Sequence, residues 1–140
     1  MELIKHLLAV GFLTGSRAFG TEKESSDWDI VYDIRDTETI QRIYSPRPIT
    51  HSEYFKGYFI TEGDVTINLI PVHSAEYFAW FLVTEAMKAT WKYSEIQDRI
   101  QKYAMFQGIV AQYKGILNRK DWRGTVKRIR KERGDYGTEK

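Results

Sequence analysis

Two aspartates, Asp27 and Asp29, flank a tryptophan where polar and apolar residues begin to alternate. If this segment is a β-strand, both carboxylates point to the same face, with Cα atoms roughly 7 Å apart. Mg²⁺ binds proteins through one or two carboxylates and completes its octahedron with water and substrate phosphates. The pair therefore predicts a site for Mg²⁺ or Mn²⁺, although an Asp-x-Asp on an edge strand is also ordinary solvated surface.

A glycine-rich segment precedes the two aspartates and begins with Gly15-Ser16-Arg17, after the short apolar strand of Phe12 and Leu13. A Gly-Ser turn exposes backbone N–H groups and a hydroxyl without side-chain obstruction, which suits the oxygens of a triphosphate. Arg17 can add a charged contact to phosphate or be an ordinary solvated loop residue. The turn and the aspartates together predict a site that binds nucleotide phosphates and a divalent metal.

The elements that must position these residues form an α+β pattern. Apolar residues at helical spacing or in alternation predict, in chain order, a helix over 2–9, strands over 12–13 and 27–34, a helix over 37–44, strands over 54–61 and 65–72, and helices over 74–90 and 94–117. The turn Glu62-Gly63-Asp64 predicts a hairpin. We therefore expect a small mixed sheet of about four strands covered by helices, with a helical C-terminal half.

Length and composition limit the class of protein. A chain of 140 residues with 42% hydrophobic residues fits one domain, which divides into a sheet-bearing core (1–73), packing helices (74–118) and a basic tail (119–140). The absence of cysteine excludes disulfides and thiolate ligands, and it suits a cytoplasmic protein. No segment has the length and apolar character of a membrane span, so we expect a soluble protein without membrane partners.

The net charge of +2 conceals a basic segment near the C-terminus. The segment Arg119–Arg133 carries eight basic and two acidic side chains, whereas the preceding chain is acidic overall. Such a segment can follow a nucleic-acid backbone, with Trp122 available for stacking on a base. The alternative is a solvated helix end, since termini rich in Lys and Arg are common.

The combination of Gly15-Ser16 with Asp27-Trp28-Asp29 resembles the nucleotidyltransferase superfamily typified by DNA polymerase beta, in its minimal form. The element order extends this resemblance to about residue 72. The helical half, around 78–89, looks like that of small members encoded by bacteriophages. The resemblance implies transfer of a nucleoside monophosphate from a nucleoside triphosphate to a hydroxyl, with pyrophosphate released. It also implies that Gly15 and Ser16 hold the triphosphate and that Asp27 and Asp29 hold the metal ions.

The resemblance implies two divalent ions held by three carboxylates, and the chain departs from this family pattern at the third. The strand that supplies this group in the family offers Asn68 here. An amide oxygen can bind a hard cation, but it adds no negative charge and cannot accept a proton. Asp33 and Asp64 share the strand parity of Asp29 and Asn68, but each lies four residues away along its strand, roughly 13 Å.

Three functions remain open from the sequence. The first is a metal-dependent nucleotidyltransferase with an unidentified acceptor, which can be RNA, protein or a small molecule. The second is a nucleotide- or protein-binding module impaired by Asn68, such as a phage inhibitor or decoy. The third is an accessory protein that binds nucleic acid through its basic tail. For the first, Arg42 and Arg47 can line an acceptor groove, and His73 can reach the site as a base or simply lie on the surface.

Overall fold

The computed structural model describes residues 2–52, 55–90, 99–117 and 122–134. In chain order its elements are α1 (Glu2–Leu7), β1 (Phe12–Thr14), α2 (Ser16–Phe19), β2 (Trp28–Asp33), a 3₁₀ turn (Ile34–Asp36), α3 (Thr37–Tyr44), β3 (Arg47–Ser52), β4 (Phe55–Glu62), β5 (Val65–Val72), α4 (Ser74–Thr90), α5 (Arg99–Ile116) and α6 (Trp122–Arg133). This is an α+β domain, as the sequence pattern predicts.

The strands form one mixed sheet in the order β1-β2-β5-β4-β3. The central pair, β2 and β5, is parallel, and the other neighbouring pairs are antiparallel. Parallel strands need a crossover connection, and here the chain between them supplies α3 and the β3–β4 hairpin. The arrangement brings Asp29 of β2, and Asp27 just before β2, beside Asn68 of β5, although 39 residues separate Asp29 from Asn68.

Each face of the sheet has its own hydrophobic core. On one face Val31, Ile70 and Val72 pack against α4, α5 and α6, and this core includes the buried aromatic residues Tyr77, Trp80 and Phe81. On the other face Ile30, Ile67 and Leu69 pack with residues of α1 and with Ile40 of α3. Because alternate strand residues point to opposite faces, Asp29 and Asn68 share the α4 face with Val31 and Ile70.

Several predicted elements are confirmed with their bounds: the helices 37–44 and 74–90, and the strand 65–72. The predicted hairpin is also confirmed, because Glu62 pairs with Val65 across a two-residue turn in which Gly63 has φ of +61°. Of the last predicted helix, 99–116 is helical, and its predicted start at 94 lies outside the described residues. The first helix ends at Leu7, two residues before the prediction.

Within the described residues the sheet has five strands, so the prediction of about four was wrong. The additional strand is β3, whose Pro48 has no backbone N–H to donate to a neighbouring strand. It lies at the edge of the sheet and pairs only with β4, where a proline is tolerated. Two short helical segments, α2 and α6, were also absent from the predicted order. No helix within the described ranges is long and apolar enough to cross a membrane.

Candidate functional site

The candidate site lies where β2 begins beside the middle of β5. Asp29 and Asn68 are direct partners in the parallel ladder, so their side chains stand next to each other on one face. The Asn68 amide nitrogen donates to Asp29 Oδ1 at 2.9 Å and to Asp27 Oδ2 at 3.3 Å. The structure therefore brings together all three predicted residues, with the amide of Asn68 bridging the two carboxylates.

The turn at Gly15 closes over this cluster. Gly15 adopts φ 72° and ψ −163°, a conformation that is essentially restricted to glycine. A β-carbon at this position would lie 2.2 Å from Asp29 Oδ2, well inside van der Waals contact. Ser16 follows as the first residue of α2. The predicted phosphate-binding turn and the predicted metal-binding carboxylate are thus in direct contact.

A buried hydroxyl pair fixes the end of β1 beside the site. Thr14, the last residue of β1, is the ladder partner of Asp29. Its Oγ1 lies 3.0 Å from Oγ1 of Thr84 on α4, and both residues are buried. This hydrogen bond connects the strand that delivers Gly15 to the helix below it. The sequence does not indicate this pair, because two threonines 70 residues apart carry no pattern that marks them as partners.

Arg17 organises the loop that leads to Asp27. Its guanidinium donates to the backbone oxygen of Ser26 through Nε at 3.1 Å and Nη2 at 2.9 Å, and Nη2 also donates to Glu24 O. The guanidinium carbon lies 4.4 Å from the centre of the Trp28 ring. These contacts give Arg17 a structural role on both sides of Asp27, which neither sequence interpretation included. Its predicted contact with phosphate stays a prediction.

The side-chain oxygens of Asp27, Asp29 and Asn68 can supply part of the ligand set of one divalent cation. Two carboxylates lie within hydrogen-bond distance of one nitrogen, so their oxygens can approach a common small ion. Asn68 Oδ1 is buried and lacks a hydrogen-bond partner within the described part of the chain. Ionised carboxylates only accept hydrogen bonds, so they draw the amide NH₂ toward them, whereas a cation would draw the oxygen. Rotation of the amide would therefore present a third oxygen ligand.

The described residues contain no cluster of three or more His, Cys, Asp or Glu side chains that could hold a metal ion. Asp33, which shares the site's face of β2, is fully buried and forms an ion pair with Arg35 at 2.8 Å. It also accepts a hydrogen bond from Ser74 Oγ at 2.8 Å. Burial opposes its charged form, but these hydrogen bonds hold the Asp33 pKa below its usual value. Asp33 is thus a structural carboxylate.

Other candidates lie away from the site. His73 is exposed and follows the far end of β5, five residues beyond Asn68, or roughly 16 Å along an extended strand. Arg42 is exposed on α3, whose Ile40 packs against the opposite face of the sheet. Neither residue is placed to act beside Asp29. Arg47, by contrast, lies on β3 and pairs with Phe59 of β4, which in turn pairs with Asn68 of β5.

The described part of the basic segment, 122–133, forms the helix α6, which packs on the domain through Trp122, Val126 and Arg130. Trp122 is buried and stacks on Phe78 at 4.6 Å between ring centroids, so the prediction that it is available to stack on a base was wrong. Arg123 pairs with Asp36 at 2.6 Å, although burial still raises the Asp36 pKa above its usual value. Arg130 is buried and donates to the backbone oxygens of Leu8 and Gly11. Nucleic-acid binding through Arg119–Arg133 stays a prediction.

Comparison with protein-family models, curated proteins and solved structures gives no match for this chain.

Proposed function

We propose that the protein is a metal-dependent nucleotidyltransferase that transfers a nucleoside monophosphate from a nucleoside triphosphate to an acceptor hydroxyl. The observation that carries this proposal is the meeting of Asp27, Asp29 and Asn68 directly beside the Gly15 turn. A carboxylate pair next to a backbone turn without side-chain obstruction matches the two needs of a bound metal triphosphate, which are oxygen ligands and a close phosphate contact.

In the proposed reaction, the acceptor oxygen attacks the α-phosphorus in line with the bond to the β-phosphate. A new P–O bond forms, the bond to pyrophosphate breaks, and pyrophosphate leaves with the electron pair. Gly15 allows the triphosphate to approach the backbone, and the Ser16 hydroxyl donates to a phosphate oxygen. Asp27 and Asp29 hold the divalent ion, which when bound neutralises phosphate charge.

The proton of the acceptor hydroxyl goes to water in this reaction, because Asn68 has no basic oxygen to receive it. Loss of a positioned general base lowers a rate by on the order of 10² to 10⁴. We therefore expect slow turnover relative to a site with three carboxylates. Without an ion Asn68 holds the aspartates in place through its amide nitrogen, and after rotation of the amide its oxygen would serve as a neutral ligand.

A second candidate function is a binding module without turnover. It is favoured by the hydrogen bonds from Asn68 to both carboxylates, which partly satisfy these groups without a cation. In this case the nucleotide, or a partner protein, would bind at the Gly15 turn and remain unchanged.

One experiment separates these functions. The purified protein is incubated with each α-³²P nucleoside triphosphate, Mg²⁺ or Mn²⁺, and a cell extract, and both label transfer and pyrophosphate are measured. Metal-dependent transfer that is lost in Asp29→Asn and retained in Asp64→Asn supports the transferase, because Asp64 is exposed in the β4–β5 turn. Nucleotide binding without transfer supports the binding module. Transfer that persists in Asp29→Asn contradicts the proposed site.

A further inference from the structure

One row of paired residues crosses all five strands at the level of the site. In sheet order its members are Thr14, Asp29, Asn68, Phe59 and Arg47. Residues paired directly across neighbouring strands point to the same face of a sheet. Phe59 and Arg47 therefore stand on the face that carries the candidate site, beyond Asn68.

Within the described residues, Phe59 does not belong to a hydrophobic core and Arg47 does not belong to an ion pair. The Phe59 ring is half-buried, yet it belongs to neither hydrophobic core of the described residues. Its neighbours Tyr58 and Ile60 pack into the core on the opposite face. Arg47 is exposed, and no described carboxylate forms an ion pair with it. The row thus ends in an available aromatic surface and an available positive charge.

The two ends of this row correspond to the two sides of the phosphorus in the proposed reaction. The Gly15 turn follows β1 at one end, so the β- and γ-phosphates of a bound triphosphate lie at that end. In an in-line displacement the attacking and leaving oxygens lie on opposite sides of the phosphorus. With pyrophosphate leaving toward β1, the attacking hydroxyl approaches from the side of β4 and β3. Phe59 and Arg47 are therefore on the acceptor's side.

We propose that the acceptor is the end of a single-stranded nucleic acid, with a base stacked on Phe59 and a backbone phosphate bound by Arg47. This inference rests on the proposed function for its direction. An aromatic ring with a neighbouring guanidinium is the combination that single-strand binding surfaces use, since every base has a stacking face and every linkage has a charge. Arg47 lies two strands from Asn68, roughly 10 Å between Cα atoms, within reach of the phosphates next to the terminal nucleotide.

The test measures the affinity of the full-length protein for a fluorescein-labelled 12-nucleotide single-stranded RNA and for the same DNA sequence, over a series of salt concentrations. We expect Arg47→Ala to weaken binding about tenfold and to reduce the slope of log K against log salt by about 1. We expect Phe59→Leu to weaken binding about tenfold and Phe59→Tyr to preserve it, because the tyrosine ring still stacks. Arg42→Ala is the matched control, since Arg42 is also exposed but lies on α3, whose Ile40 packs in the other core.

Binding of a nucleoside triphosphate with Mn²⁺ is measured on the same variants by calorimetry. Unchanged triphosphate affinity with weakened oligonucleotide binding supports the acceptor surface. Equal effects of Arg47→Ala and Arg42→Ala, or weakened triphosphate binding alone, overturn it, and so does transfer of label only to protein. If the oligonucleotide binds through Phe59 and Arg47 but no pyrophosphate is released, the surface stands and the proposed transferase fails. If pyrophosphate is released without oligonucleotide binding, the transferase stands and this inference fails.

Discussion

The Cα atom of Gly15 lies against the carboxylate of Asp29, so that a β-carbon on Gly15 would lie 2.2 Å from Asp29 Oδ2. The same residue has φ of +72°, which side chains rarely tolerate. One glycine therefore meets two separate requirements, an unusual backbone conformation and space for a carboxylate. Because both depend on the absence of a side chain, any substitution at Gly15 alters the proposed phosphate turn and the proposed metal ligand together.

We expect Gly15→Ala to displace Asp29 and to weaken Mn²⁺ binding at least tenfold, in addition to lowering stability. Gly20→Ala is the control, because Gly20 also has positive φ, at +75°, but has no atom within 4 Å of an added β-carbon. Its cost is confined to backbone strain, about 1 kcal/mol. Calorimetry with Mn²⁺ and thermal unfolding measure the two effects. Equal Mn²⁺ affinities in the two variants would contradict the contact between Gly15 and Asp29.

Asn68→Asp adds a third negative charge beside Asp27 and Asp29 at almost no steric cost. Without metal, repulsion among the carboxylates replaces two hydrogen bonds, so we expect a lower melting temperature than that of the wild type. With Mn²⁺ the order reverses, because the added charge tightens cation binding. Thermal unfolding with and without Mn²⁺ measures this crossover. Tighter metal binding without a gain in turnover would favour the binding module, and unchanged metal affinity would show that Asn68 is not a ligand position.

Arg17→Ala removes the guanidinium that holds the backbone of Glu24 and Ser26. We expect the loop around Lys23 to open more often, and trypsin to cleave after Lys23 several times faster. Arg17→Lys restores the charge but not the forked geometry, so it gives an intermediate rate. Mass spectrometry of timed digests identifies the cleavage site. An unchanged rate at Lys23, with normal cleavage elsewhere, would show that Arg17 does not restrain the loop.

The ion pair between the buried Asp33 and the exposed Arg35 predicts a pH dependence of stability. The folded-state pKa of Asp33 is below its usual value, because hydrogen bonds from Arg35 and Ser74 outweigh the effect of burial. Its stabilisation is therefore complete above its unfolded-state pKa, near 4, and is lost as the pH falls through the lower folded-state value.

Asp33→Asn tests this dependence. We expect it to lower the free energy of unfolding at pH 7 by about 1–3 kcal/mol, since a buried charged hydrogen-bond acceptor is lost. The difference from the wild type should shrink as the pH falls below 4. Urea denaturation at pH 7, 4 and 2.5 gives both values. A difference that is independent of pH would contradict a lowered pKa of Asp33 in the folded state.

The sequence by itself determined the elements with strong periodicity. The strand 65–72 has apolar residues on both of its faces, and the helix 74–90 is apolar over most of its surface. Each pattern therefore extends over the whole length of its element. Strand parity also predicted that Asp27 and Asp29 lie close together. In the structure Asp27 directly precedes β2, and the amide of Asn68 contacts both carboxylates.

Short elements and elements with a charged buried position were missed. The helix α2 has four residues, too few for a helical period to emerge. In α6 the buried positions are Trp122, Val126 and Arg130, so a charged residue interrupts the apolar stripe. Arg130 is buried there because the backbone oxygens of Leu8 and Gly11, far away in the sequence, accept its hydrogen bonds.

The contacts within the site were decided only by the tertiary structure. The sequence offers Asn68 as a residue on a strand, but the parallel register of β2 and β5 makes it the neighbour of Asp29. The sequence offers Arg17 as a charge near phosphate, but the path of the following loop gives it backbone oxygens to bind. Strand parity and helical period are properties of neighbouring residues, whereas register and hydrogen-bond partners depend on which distant segments the folded chain brings together.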